Sequence, residues 1–125
     1  MIHGTGIDLV DIDRLKTIIE KWDRRFLEKV YSPQEISYCM KRAVPAVHFA
    51  ARFAAKESFL KSLGLGLGMG IRLKDIEVQN DSQGRPVMNL YGAARAILSE
   101  RGVTTTHVSL SHGRMQACAI VILEK

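Results

Sequence analysis

The sequence predicts an α+β protein in which antiparallel hairpins pack with helices on one side. Two observations carry that prediction. Leu15, Ile18, Ile19 and Trp22 recur at the three- and four-residue spacing of a helix buried along one stripe. Two pairs of short strand-like runs, 76–80 with 86–90 and 105–111 with 116–123, are each joined by a short polar connection.

The elements follow in order. Ile2 to Val10 reads as a strand, weakened by Gly4 and Gly6. With a period of two, Asp8 shares a face with Ile2, Gly4 and Gly6, and the glycines leave room beside its carboxylate. Asp11 or Asp13 caps a helix from Arg14 to Trp22. A second helical stretch runs from Phe26 to about Tyr31. Ser32-Pro33-Gln34-Glu35 is a strong helix start, with Ser32 as cap, proline at the first position and glutamate at the third; this helix ends near Arg42. Pro45 precedes a long helix, about Ala46 to Leu63, which Gly64 stops. The alternating glycines from Gly64 to Gly70 hold neither helix nor strand and predict a mobile loop. Ile76 to Asn80 and Pro86 to Leu90 form a hairpin around Asp81-Ser82-Gln83-Gly84. A helix from Gly92 to Arg101 is closed by Gly102. Thr105 to Ser111 and Gln116 to Leu123 form the last hairpin, with His112-Gly113-Arg114 at its tip.

The 125 residues suit one domain, and their 46% hydrophobic and 25% charged residues suit a core built without disulfides. Cys39 and Cys118 are far apart and outside any zinc-like spacing, so both read as reduced packing residues in a reducing compartment. The N-terminus lacks the basic and apolar regions of a signal peptide, and no window reaches the ~20 apolar residues of a membrane span. The expected location is the cytoplasm. The net charge of +5 is regional: residues 14–61 hold 11 Lys/Arg against 5 Asp/Glu, while the remainder balances at −1. That favours an anionic partner. A nucleic-acid-binding domain would need exposed aromatics along a basic stripe, whereas only 6% of residues are aromatic, and Trp22, Phe26, Phe53 and Phe59 hold core-like positions.

The chemistry concentrates on the long helix. Arg52 with Lys56, and Glu57 with Lys61, stand one turn apart on an otherwise apolar, alanine-rich segment. Alone, Glu57 and Lys61 read as a surface ion pair. Among Phe53, Ala54, Ala55, Phe59 and Leu60, such charges are costly unless they are used. A carboxylate beside several cations can hold a metal ion against a phosphate, and Asp8 reads either as a strand-end or turn aspartate or as the second carboxylate that magnesium would need, with Asp11 or Asp13 able to assist. Arg14, Arg24 and Arg25, with nearby lysines, read either as a solvated face or as a dock for an acidic partner. The glycine run is not a Walker A motif.

These motifs resemble a known family. Gly6-Ile7-Asp8-Leu9-Val10-Asp11-Ile12-Asp13-Arg14 is similar to the opening signature of the holo-(acyl-carrier-protein) synthases. Phe53-Ala54-Ala55-Lys56-Glu57-Ser58-Phe59-Leu60-Lys61-Ser62-Leu63-Gly64 is similar to their second signature. Gly84-Arg85-Pro86 and Val108-Ser109-Leu110-Ser111-His112 fit in order and separation. The resemblance implies a 4′-phosphopantetheinyl transferase-like fold and transfer of 4′-phosphopantetheine from coenzyme A to a serine of apo acyl carrier protein, in support of fatty acid biosynthesis. Adenosine 3′,5′-bisphosphate is the other product. It implies Asp8 and Glu57 as magnesium ligands, with manganese as an alternative, and Glu57 and Lys61 as catalytic residues. The base is either Glu57 or a metal-bound water that Glu57 orients. Arg52, Lys56, Lys61, Arg85, Pro86 and His112 are the expected coenzyme A contacts, and Arg14, Arg24 and Arg25 the expected carrier-protein dock. The short members of the family imply a homotrimer with active sites between subunits.

Overall fold

The computed structural model describes residues 1–67 and 69–125; Gly68, within the glycine run read above as a mobile loop, lies outside the described residues. Strand β1, Ile2–Asp11, opens the chain. Helices α1 (Ile12–Trp22), α2 (Arg24–Val30), α3 (Pro33–Met40) and α4 (Pro45–Ser62) follow. A short 3₁₀ turn, Leu73–Asp75, precedes the hairpin β2 (Ile76–Asn80) and β3 (Pro86–Leu90). Helix α5 (Gly92–Arg101) leads to β4 (Thr105–His112) and β5 (Gln116–Glu124).

Several boundaries follow directly from local chemistry. Asp11, not Asp13, caps α1: its carboxylate accepts the Asp13 backbone N–H at 3.1 Å. The break between α1 and α2 is Asp23, at φ 48, a conformation that aspartate tolerates better than most residues. The capping box before α3 is complete, with the Ser32 hydroxyl accepting from Glu35 N and the Glu35 carboxylate accepting from Ser32 N. The 3₁₀ turn has no period that a sequence reading detects.

The antiparallel sheets contain the two hairpins the sequence predicts, and β1 adds to the second of them. The order is β1-β5-β4, with β2 and β3 forming a separate two-stranded sheet. In this register Asp8 lies opposite Ala119, and Ala119 opposite Leu110.

Helix α4 lies across the three-stranded sheet and forms the centre of the core. Its alanines and Phe49 and Phe59 are buried, against Ala117, Ala119 and Val121 of β5. Small residues on both sides allow close packing. Trp22 departs from its core-like expectation: it is 48% exposed, with the Lys21 ammonium 5.3 Å from its ring. It sits at the last turn of α1, beyond the reach of the α4 contacts that bury Leu15.

Candidate active site

The approach of β1 to α4 sets up the first half of the site. A side chain on Gly6 would meet the Ser58 carbonyl oxygen at 1.8 Å, and one on Gly4 the Ser62 carbonyl oxygen at 2.0 Å. Only glycine permits strand and helix backbones to come this close. The Ser58 hydroxyl donates to the Ala119 carbonyl at 2.9 Å and pins the helix to the sheet's central strand. Two residues beyond Gly6, Asp8 therefore meets the flank of α4. Its Oδ1 accepts from Lys61 Nζ at 2.9 Å, and the same ammonium donates to the Ile7 carbonyl at 3.0 Å.

Glu57 stands one turn before Lys61 on that flank. Partial burial raises the affinity of its carboxyl for a proton, the Asp8 charge raises it further, and Lys61 opposes both. Two neighbouring carboxylates, whose mutual repulsion helps raise the proton affinity of Glu57, have an electrostatic demand for a cation. They are hard oxygen donors, and two carboxylates with open positions left for phosphate oxygens and water suit magnesium. Among the described residues no three His, Cys, Asp or Glu side chains gather around one point, so a closed all-protein metal cage does not form.

The second half of the site is a cleft of about 240 Å³ on the other flank of α4. Tyr38, His48, Arg52, Asn80, Pro86 and His112 line it. The Arg52 guanidinium is 2% exposed, donates to Asn80 Oδ1 at 2.9 Å, and lies 4.2 Å from the Tyr38 ring centroid. The Arg42 guanidinium stacks at 4.2 Å on the same ring. Arg85 is exposed at the turn beside Pro86. Of the residues expected to contact coenzyme A, this cleft gathers Arg52, Pro86 and His112, with Arg85 at its edge, while Lys61 belongs to the first half.

Lys56 corrects the sequence reading, which placed it among the phosphate ligands. Its side chain is fully buried, and its ammonium donates to Glu35 Oε1 at 2.7 Å, the Leu73 carbonyl at 2.9 Å and the Ile76 carbonyl at 2.6 Å. Three acceptors exhaust the three N–H groups of an ammonium. Burial pulls its proton affinity down, and Glu35 pulls it back up. The same Glu35 carboxylate accepts from Ser32 N and Val78 N, each at 2.9 Å. This satisfied hub ties α3, α4 and β2 together. Lys56 is thus a positioning residue that fixes the rotation of α4, and so the directions of Glu57 and Arg52.

Sequence reasoning passed over Tyr38, Arg42, His48 and Asn80. His48 has one local signal: it stands four residues before Arg52, on the same helical face. The others reach the cleft from elsewhere in the chain. Arg14 on α1, and Arg24 and Arg25 at the start of α2, are exposed on consecutive helices, with Arg24 3.9 Å from Glu28.

A family model described as the 4′-phosphopantetheinyl transferase superfamily matches residues 4–121. The chain belongs to this superfamily. Within it, the chain is 73% identical over 124 residues to the holo-[acyl-carrier-protein] synthase of Syntrophus aciditrophicus, covering 99% of this chain and 97% of that protein. It therefore falls among the holo-(acyl-carrier-protein) synthases, and the family's enzymatic character is its own. The Neisseria meningitidis holo-[acyl-carrier-protein] synthase structure superposes with a TM-score of 0.89 at 31% identity, covering all of both chains. That of Helicobacter pylori, in complex with coenzyme A, superposes with a TM-score of 0.84 at 28% identity, covering 96% of this chain and 99% of the other. These superpositions establish the α+β fold of the superfamily for this chain.

Proposed function

We propose that this holo-(acyl-carrier-protein) synthase homologue transfers 4′-phosphopantetheine from coenzyme A to a serine of apo acyl carrier protein, with magnesium, in the service of fatty acid biosynthesis. The observation that carries the reading is the grouping of Asp8, Glu57 and Lys61 across the glycine-mediated contact of β1 with α4. Asp8 and Glu57 would hold the magnesium. When bound, it would neutralise the diphosphate and polarise the phosphorus under attack. The serine oxygen bonds to the phosphorus that carries pantetheine, the bond from that phosphorus to the bridging oxygen breaks, and adenosine 3′,5′-bisphosphate leaves. Glu57, or a metal-bound water that it orients, would take the serine proton. Lys61, a flexible ammonium already at Asp8, stabilises charge on the departing phosphate. Formation of adenosine 3′,5′-bisphosphate from coenzyme A, dependent on both carrier protein and magnesium, tests the reaction. Hydrolysis of coenzyme A without a carrier would contradict it.

Two features support a homotrimer with sites between subunits. Glu57 and Lys61 stand roughly 140° and 180° around α4 from Arg52, so one chain holds the two halves of the site on different flanks of the helix. One substrate reaches both most simply when adjacent chains each contribute a half. The outer face of the three-stranded sheet is also apolar and open: Ile7 lies opposite Ile120, with exposures of 65% and 39%, and Leu9 beside them is 60% exposed. An uncovered apolar patch of this kind marks an interaction surface. Ile7→Lys should convert a three-chain particle in sedimentation equilibrium to monomer and remove transfer activity with it. A wild-type monomer with full activity would refute the shared site.

Arg14, Arg24 and Arg25 are proposed as the dock for the acidic carrier. Reversing all three to glutamate should raise the carrier's KM about tenfold or more at low salt, and much less at high salt, with the KM for coenzyme A unchanged. Equal changes in both KM values would point instead to damage at the active site.

A further inference from the structure

Among the described residues two lysine or arginine side chains are buried, Lys56 and Arg52, and Lys56 meets a carboxylate, Glu35. Arg52 is the exception. It is 98% buried by its 2% exposure, its strongest acceptor is the neutral Asn80 amide, and its Nε has no hydrogen-bond partner among the described residues. A buried charge without a counter-charge is costly, and an anionic ligand is what would complete it. The cleft beside it has no carboxylate among its lining residues.

His48 faces this cleft from the first half of α4, half-buried, with its ring 6.0 Å from Tyr38 and 6.3 Å from His112 between centroids. We propose that His48 is a ligand for a phosphate monoester in this cleft and holds it as the imidazolium. This deepens the coenzyme A reading and rests on it. The transfer centre on the opposite flank of α4 takes the diphosphate, so the phosphate left for this cleft is the monoester on the ribose.

The surroundings explain why His48 gains its proton only with the ligand. Burial pushes its proton affinity down first, and Arg52, Arg42 and His112 push it down further. The groups facing it are Arg52 on its own helix, Tyr38 from α3, Arg42 just beyond the end of α3, and His112 from β4, with the neutral Asn80 from the hairpin. No acid opposes the two guanidinium groups. A phosphate dianion placed among them reverses the sign of the local field, and the imidazole then takes up a proton and donates from both ring nitrogens. The free affinity is low, the bound affinity higher, so binding tightens as pH falls between the two.

The test is calorimetric titration of coenzyme A, and of dephospho-coenzyme A lacking the ribose phosphate, into the folded protein from pH 6 to pH 8. Two buffers of different ionisation enthalpy report the protons exchanged. Wild type should bind coenzyme A about tenfold more tightly at pH 6 than at pH 8, the factor that one unit of proton affinity carries. His48→Gln should lose that slope and the associated proton uptake, while dephospho-coenzyme A should show neither effect on wild type. The phosphate's own proton release, near pH 6, affects both proteins alike and cancels in the comparison. A slope retained in His48→Gln, or present with dephospho-coenzyme A, overturns the role of His48 and leaves coenzyme A binding intact. Folded wild type that binds coenzyme A at no pH overturns the underlying reading and this inference together.

Discussion

Glu57→Gln is expected to lower the transfer rate about 10³-fold while the chain stays folded, since general-base carboxylates alone are worth about 10²–10⁴. Glutamine keeps the size and the neighbours of the side chain. It removes the charge that would hold magnesium with Asp8 and the lone pair that would accept the serine proton. The measurement is the initial rate of carrier modification at saturating coenzyme A, beside circular dichroism of the same sample. A variant within about threefold of wild type would dismiss Glu57 from catalysis. The pH profile provides a second check on the same carboxyl. Burial and Asp8 raise its proton affinity above that of an ordinary glutamate, against the opposing pull of Lys61, so activity should fade, on acidification, earlier than an ordinary glutamate would allow. The carboxylate form is the working form, and falling pH removes it. Saturating magnesium should move the acidic limb to lower pH, because the cation competes with the proton for the same oxygens.

Gly6→Ala is the second large effect. The added carbon would sit 1.8 Å from the Ser58 carbonyl oxygen, inside any tolerable contact, and that oxygen belongs to helix backbone. Strand and helix must separate. Overpacking of this sort costs about 3 kcal/mol or more, which lowers the thermal midpoint of a chain of this length by roughly 10 °C. Separation also carries Asp8 away from Lys61, so activity should fall further than the loss of folded protein explains. Gly113→Ala is the control: nothing lies within 4 Å of its added carbon, and its midpoint should stay within about 2 °C of wild type. Equal midpoints for the two variants would contradict the close strand–helix approach.

The elements were legible wherever local chemistry decides. The Ser32 capping box and the turn around Gly84 are written in adjacent residues and lie where the pattern puts them. Long-range pairing was not legible. Nothing local links β1 to β5, because the pairing of Ile7 with Ile120 depends on a face that spans the chain. The misreading of Lys56 has the same origin. Helical spacing places it beside Arg52, but its partner Glu35 lies 21 residues away, on another helix. Burial of a charge is decided by what arrives from elsewhere in the fold, and spacing along one helix cannot report it. The cleft shows the limit most clearly: α3, α4, β4 and the β2–β3 hairpin each contribute to it, so His48 looked idle until the elements were assembled.

The most direct test of the central claim is the intact mass of an apo acyl carrier protein after incubation with this protein, coenzyme A and magnesium, with EDTA in a parallel sample. The account predicts a gain of one phosphopantetheine, removed by EDTA and by Glu57→Gln. An unchanged mass with several carriers and a folded enzyme, or a gain indifferent to EDTA and to Glu57, would contradict it.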